Sequence, residues 1–142
     1  MRTAASISAI VGGIIMAVAG MITWVVISNT LSAQKITVAD DASCLAGDTV
    51  DGPFSAYCQA DVIDKHTMDI TGGKTYAELD REDPLRATAM DSAFLQASLF
   101  TSVVAFGVAA MAFAVGIILT LIGFAIRTPA PTVASATPPD SA

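Results

Sequence analysis

Two long stretches of this chain carry no charged side chain, and they constrain the fold more than any other feature. They cover residues 3–34 and 92–126, and each exceeds the roughly 20 residues that cross a ~30 Å hydrocarbon core. Because backbone polar groups inside that core must bond internally, each stretch should be an α-helix. We therefore predict transmembrane helices over residues 7–30 and near residues 99–126.

The composition agrees with a membrane protein. Charged residues make up only 14% of the chain, against about 25% in soluble domains, and the mean hydropathy is +0.64. The first apolar stretch could instead be a cleaved secretion signal, since Met1-Arg2 followed by an apolar run also begins such signals. We favour a retained helix, because the run is longer than a signal core and Trp24 suits an interfacial anchor.

Small residues recur at every fourth position on both predicted helices, and such rows let two helices approach closely. One face can pack on the other within the chain, or a face can remain for the helix of a partner. Gly12 and Gly20 lie on a row adjacent to the first one. The candidate helix-packing residues are Ala5, Ala9, Gly13 and Ala17 on the first helix, and Ala105, Ala109, Ala112 and Gly116 on the second.

The charges are concentrated between the two apolar stretches, where residues 31–91 hold twelve acidic and five basic side chains. Arg2 precedes the first apolar stretch and Arg127 follows the second, at the helix ends away from this loop. The positive-inside rule therefore favours cytoplasmic termini, an extracytoplasmic loop and the plasma membrane as location, although the basic residues of the loop argue weakly the other way.

The only two cysteines, Cys44 and Cys58, both lie in this loop, fourteen positions apart. We predict a disulfide between them, which would stabilise a small domain by about 3 kcal/mol and agrees with a location outside the cytosol. Two unrelated buried thiols are the alternative. A metal pair is less favoured, because no second pair of ligands accompanies the cysteines.

Local patterns divide the loop. Residues 35–38 alternate polar and apolar side chains and predict a short strand, and residues 55–70 predict a helix that stops at Gly72. The spacing of Thr75 and Glu78 is that of a capping box and predicts one short turn of helix. Asp83-Pro84 should then cap and open the second long helix.

The second long helix should run from Pro84 to Ile126, which is about 65 Å at 1.5 Å per residue. Only half of it fits in the hydrocarbon core, so the rest forms a stalk beyond the bilayer. The fold class is thus an all-α helical hairpin with a small, mostly helical loop domain. We divide the chain into residues 1–6, 7–30, 31–83, 84–127 and a disordered tail over 128–142.

No pattern in the chain indicates a catalytic site. His66 is the only histidine, and Asp69 alone shares its helical face, which leaves any metal shell incomplete. Gly73-Lys74-Thr75 does not complete a phosphate loop, since position 68 is methionine where glycine is required. The predicted spans hold no ionisable group of the kind that pumps need. We expect no enzyme activity, no cofactor or resident metal, and no nucleic-acid binding.

The most distinctive stretch of the chain is GPFSAYCQADVIDKHTMDITGGKTYAELDREDPLRA, followed in the second span by SLFTSVVAFGVAA. Here and in its first span the chain resembles a family of small actinobacterial membrane proteins, over residues 1 to about 127. Members often carry the label of aromatic ring-opening dioxygenase. That chemistry typically uses an iron held by two histidines and a carboxylate, and this chain has one histidine.

The same family also resembles the small accessory subunits of actinobacterial respiratory supercomplexes, in which a cytochrome bcc complex is joined to an aa3 oxidase. The resemblance therefore implies a non-catalytic accessory or assembly subunit, whose partners are the lipid bilayer and other integral membrane subunits. The alternative is an independent envelope protein whose loop binds a soluble ligand or protein. An acidic loop could also attract a basic electron carrier.

Overall fold

The computed structural model describes residues 2–127, which contain three α-helices and no strand. These are α1 (Arg2–Ala33), α2 (Pro53–Thr71) and α3 (Leu85–Arg127). The prediction of two long helices with a small helical segment between them is confirmed. The tail over residues 128–142, predicted to be disordered, lies outside the described residues, as does Met1.

Both α1 and α3 are long and apolar enough to cross a membrane. The most apolar window of each helix has a mean hydropathy of 2.4 and 2.5 respectively, yet only 11% and 17% of its residues are buried. The core helix of a soluble protein would bury most of such a window. The two helices are antiparallel, since Ser6 contacts Gly123 near one end of the pair and Trp24 contacts Phe106 towards the other.

The long helix α3 begins one residue after the predicted start. The side chain of Asp83 accepts a hydrogen bond from the backbone N–H of Leu85 at 2.8 Å, which satisfies one of the free donors of the first turn. Pro84 lies just before the helix, where its missing N–H costs no hydrogen bond. No proline or glycine then interrupts the helix before Gly107.

The middle helix α2 has a defined beginning and end. Ser55 Oγ accepts the backbone N–H groups of Asp51 and Gly52 at 3.2 Å each, so the residue at the third helical position satisfies donors before the helix. At the other end, Gly72 adopts a left-handed conformation with φ 66°, and its N–H bonds back to Met68. The glycine stop predicted after residue 70 is confirmed.

The predicted strand over residues 35–38 is wrong. Only an isolated antiparallel bridge forms there, between Thr37 and Thr49, with hydrogen bonds from Val38 N–H to Asp48 O and from Val50 N–H to Ile36 O. The ladder cannot lengthen, because α2 begins at Pro53, three residues after Val50. The next donor in this register, the N–H of Gly52, bonds to Ser55 Oγ instead.

Thr75 and Glu78 form the predicted side-chain contact, but the chain makes a single turn there without a continuing helix. The Glu78 carboxylate accepts from the Thr75 N–H at 2.9 Å and from its hydroxyl at 2.8 Å. The Arg86 guanidinium donates to the backbone carbonyls of Tyr76 and Leu79. Those carbonyls are the acceptors that a longer helix would need, so Arg86 caps the turn.

We call residues 34–84 the connecting segment. One hydrophobic cluster joins this segment to the two long helices, so the connecting segment is packed on them and is not a free loop. Leu31 at the end of α1, and Leu99 and Phe106 of α3, contribute from the long helices. The members from the connecting segment are Val38, Val50, Ala56, Cys58 and Ala60.

Candidate helix-packing and partner surfaces

The contact between α1 and α3 is built from small residues that recur at every seventh position. The buried small residues of α1 are Ser6, Gly13 and Gly20, and those of α3 include Ala109, Gly116 and Gly123. A seven-residue repeat keeps the same faces together when two helices wrap around each other with a left-handed twist. The repeat thus runs along the part of the helix pair between Ser6 and Gly20 of α1.

Glycine is required at positions 13 and 20 because the two backbones nearly touch there. A methyl group added at Gly13 would lie 2.6 Å from the carbonyl oxygen of Gly116, and one added at Gly20 would lie 2.6 Å from that of Ala109. Backbone atoms cannot move aside as flexible side chains do, so any larger residue would push the helices apart. Gly12, which directly precedes Gly13, has nothing within 4 Å of such a methyl.

The predicted packing residues differ in how deeply they are buried. Gly13, Ala109 and Gly116 are buried in the contact between the helices, whereas Ala5 is exposed. Those of intermediate burial are Ala9, Ala17, Ala105 and Ala112.

Three buried small positions of the contact, Ser6, Gly20 and Gly123, were absent from the predicted set. The signal that could have found them is the seven-residue spacing from Gly13 and Gly116, since a four-residue row drifts around the helix and leaves the contact within a few turns.

A hydrogen bond joins α1 to α3 at the end of the pair away from α2. The hydroxyl of Ser6, which is fully buried, donates to the backbone carbonyl of Gly123 at 2.7 Å. Polar contacts of this kind add specificity to a helix pair that otherwise meets through small residues. Ser6 thereby holds the start of α1 against the end of α3.

Near the connecting segment the helices meet through aromatic rings instead. Trp24 and Phe106 pack edge to face, with ring centroids 4.7 Å apart at an angle of 62°. Phe106 is 1% exposed and belongs to the central cluster, whereas Trp24 is 39% exposed. The ring of Trp24 therefore lies at the rim of the contact, with one part packed and another part free.

The connecting segment is held together by a covalent bond. Cys44 and Cys58 form a disulfide with a Cα–Cα distance of 5.7 Å, which ties the stretch before α2 to the second turn of that helix. Cys58 is only 5% exposed and is part of the central cluster. The bond thus closes the chain around the core that the segment shares with α3.

Three polar contacts tie the same two pieces together. His66 Nε2 lies 2.6 Å from a carboxylate oxygen of Asp41, and the Gln59 amide oxygen accepts the backbone N–H of Ala39 at 3.0 Å. Ser43 donates to Asp61 at 3.3 Å. The hydrogen bond from His66 lowers the pKa of Asp41 below its ordinary value. No sequence pattern indicates this pair, because the two residues are 25 positions apart.

The arrangement around His66 is that of a surface latch. Its side chain is 45% exposed and that of Asp41 is 56% exposed. Within residues 2–127, no three histidine, cysteine, aspartate or glutamate side chains lie close enough to hold a metal ion. The pair holds the stretch before α2 against that helix.

A recess of about 660 Å³ opens where the three helices meet. No side chain that lines it is ionisable. The apolar part of its lining includes Ile27, Leu31 and Leu99, and the polar part includes Thr30, Gln34, Gln59 and Ser98. Such a lining suits an uncharged or amphiphilic group, and it offers neither an acid nor a base for catalysis.

The chain matches no family model, no curated protein and no solved structure. The resemblance to small actinobacterial membrane proteins therefore rests on the quoted sequence stretches alone. The two candidate functional surfaces of the chain are the glycine-packed helix pair and the cross-linked connecting segment.

Proposed function

We propose that this chain is a non-catalytic subunit of the plasma membrane, which spans the bilayer twice and packs against a larger membrane complex. The observation that carries the proposal is the distribution of side-chain size on α1 and α3. The helices bury their small residues against each other and expose large apolar ones, such as Ile15 at 63%, Val104 at 66% and Leu121 at 62%. Exposed apolar surface on this scale calls for lipid or the helices of other subunits.

In the proposed orientation both termini are cytoplasmic and residues 31–91 are extracytoplasmic. The disulfide supports this orientation, because such bonds persist in oxidising compartments. The positions of Arg2 and Arg127 support it as well. Fusions at the C-terminus test it: we expect a green fluorescent protein to be fluorescent there and an alkaline phosphatase to be inactive. The reverse pattern would overturn the orientation.

The larger complex that we propose is a respiratory supercomplex of the bcc–aa3 type, and the support for this choice is the sequence resemblance. The test is to solubilise membranes in a mild detergent, purify through a tag on this chain, and record the absorption spectrum of the product. We expect the bands of b-, c- and a-type haems. An unrelated tagged two-span protein, purified in the same way, is the control, and recovery of the chain alone would contradict the proposal.

A second candidate function is that of an envelope protein whose connecting segment binds a soluble partner. The acidic surface of residues 31–91 favours a basic partner, such as a small electron carrier, drawn in by long-range attraction. We expect binding of a basic haem protein to the full chain in lipid nanodiscs to weaken strongly as salt rises. Binding that ignores salt would argue against this function.

A further inference from the structure

A patch of large apolar side chains lies exposed at the beginning of α2. We call it the aromatic patch, and it consists of Leu45, Phe54, Tyr57 and Phe100. Their exposed fractions are 43%, 78%, 52% and 41% respectively, and Phe54 is the most exposed large apolar side chain among residues 2–127. Contiguous apolar surface of this kind marks an interaction site.

The four residues form one continuous surface. The rings of Tyr57 and Phe100 meet edge to face with centroids 6.1 Å apart. Phe54 lies one helical turn before Tyr57, so the two share a face of α2. Leu45 and Phe54 line the same shallow recess of about 390 Å³. The patch therefore runs without interruption from the connecting segment onto the surface of α3.

The direction of α2 decides which end of the patch lies deepest. Tyr57 of α2 meets Phe100 of α3, whereas Tyr76, five residues after α2 ends, contacts Arg86 in the first turn of α3. The two helices are thus antiparallel, and α2 begins at the end that faces the apolar part of α3. Phe54 precedes Tyr57 by one turn and lies about 4.5 Å further in that direction.

The pairing of α1 with α3 locates the edge of the hydrocarbon. The predicted span of α1 ends at residue 30, and the contact between Trp24 and Phe106 sets the register of the two antiparallel helices. Six residues beyond Trp24, the end of that span lies level with Phe100 of α3, which agrees with the span predicted there near residues 99–126. Phe100 therefore lies at the hydrocarbon edge, and Phe54 lies just inside it. Aromatic side chains are enriched at this depth in membrane proteins.

We propose that the aromatic patch anchors the start of α2 at the outer boundary between headgroups and acyl chains, with Phe54 and Leu45 contacting the part of the acyl chains nearest the headgroups. This inference rests on the proposed function, since it requires α1 and α3 to span the membrane. The backbone of Leu45 supports it independently. Leu45 has a φ of 50°, a conformation that favours glycine, yet it presents a large apolar side chain to the surface. Contact with lipid would bury this apolar side chain.

The charges around the patch specify the kind of lipid contact. Asp48 and Asp51 line the recess that Leu45 and Phe54 share, and no lysine or arginine occurs between residues 36 and 64. Anionic lipids therefore gain nothing from this surface. The anchor acts through apolar burial, so neutral and anionic bilayers should hold it equally.

The test uses tryptophan fluorescence of the full chain in phosphatidylcholine vesicles that contain lipids brominated near the headgroup end of the acyl chain. The wild type reports through Trp24, its only tryptophan. Two further proteins carry Trp24→Phe, one with Phe54→Trp and the other with Ile70→Trp. Ile70 is the matched control, because it is 54% exposed on the same helix, about 24 Å from Phe54 along its axis. Circular dichroism checks that all three are folded.

We expect bromine to quench most of the emission of Trp24 and of the tryptophan at position 54, and to leave that at position 70 unchanged. Replacing part of the phosphatidylcholine by phosphatidylglycerol should not alter this result. Quenching at Trp24 without quenching at position 54 would overturn the anchor while the membrane spans stand. The absence of quenching at Trp24 itself would overturn the proposed spans.

Discussion

The helix pair and the connecting segment are stabilised by opposite means. The pair of α1 and α3 relies on backbones that nearly touch at Gly13 and Gly116, with one buried hydrogen bond between the helices from Ser6. The connecting segment relies on a disulfide, a hydrogen bond between His66 and Asp41, and a small apolar core. A helix pair in lipid gains little from burying apolar groups, so close packing must hold it. A small segment in water lacks a large core and needs cross-links.

Removing the disulfide should have the largest effect, confined to the connecting segment. In the double variant Cys44→Ala and Cys58→Ala, we expect the segment to lose about 3 kcal/mol of stability, because its unfolded state becomes less restricted. Amide hydrogen exchange would show faster exchange in α2 and unchanged exchange in α1 beyond Trp24 towards the N-terminus. Reduction of the wild type should give the same pattern. Equal loss of protection in both regions would show that the disulfide stabilises the helix pair as much as the connecting segment.

Gly13→Ala should weaken the helix pair by about 1–3 kcal/mol, since the added methyl meets the backbone of Gly116. Gly12→Ala is the matched control at the neighbouring position. There we expect no loss and a gain of up to about 1 kcal/mol, because alanine favours a helix and has open space. Thermal unfolding in detergent measures both. Similar melting temperatures for the two variants would show that close packing does not hold the pair.

Ser6→Ala should have a smaller effect, about 0.6 kcal/mol, which is typical of a hydrogen bond between membrane helices. The variant loses the bond to the Gly123 carbonyl and leaves the rest of the contact intact. Ser8→Ala, at an exposed position two residues later, is the control and should change nothing. The same unfolding measurement applies, and a large loss for both variants would mean that the serines act on α1 alone.

Acid should loosen the latch between Asp41 and His66 only slightly. The pKa of Asp41 is lowered in the folded protein, mainly by the hydrogen bond from His66. The latch therefore contributes fully above the ordinary pKa of aspartate and is lost as the pH falls through the lowered pKa of Asp41 in the folded protein. Nuclear magnetic resonance titration of Asp41 measures it. His66→Ala should return that pKa towards its ordinary value. An unchanged pKa would show that His66 does not hold Asp41.

Local signals predicted the helices and their ends well. Asp83 before a proline and Gly72 after a helical pattern act within one turn of the chain, so neighbouring residues suffice to place them. The prediction of a strand over residues 35–38 was wrong because a strand depends on a partner that is distant in sequence. Its partner around Thr49 is cut short by the start of α2 at Pro53.

The candidate surfaces divide in the same way. The cysteine pair was evident in the sequence, because both thiols lie in one short stretch bounded by turn residues. The pairing of His66 with Asp41 was not, since Asp64 and Asp69 are nearer in the sequence and only folding brings Asp41 to 2.6 Å. The seven-residue repeat through Ser6, Gly13 and Gly20 was present in the sequence and was overlooked in favour of a four-residue row.

The amino-acid sequence is enough to predict two long apolar helices and a charged, cysteine-containing segment between them. Hydropathy, helix length and capping are properties of neighbouring residues, so they can be read along the chain. The three-dimensional fold was needed to show which helix faces meet, that α2 is antiparallel to α3, and that Phe54 and Phe100 lie on one surface. Those features depend on contacts between residues far apart in sequence. Each contact requires that two helix surfaces fit each other, and neither sequence stretch specifies that fit alone.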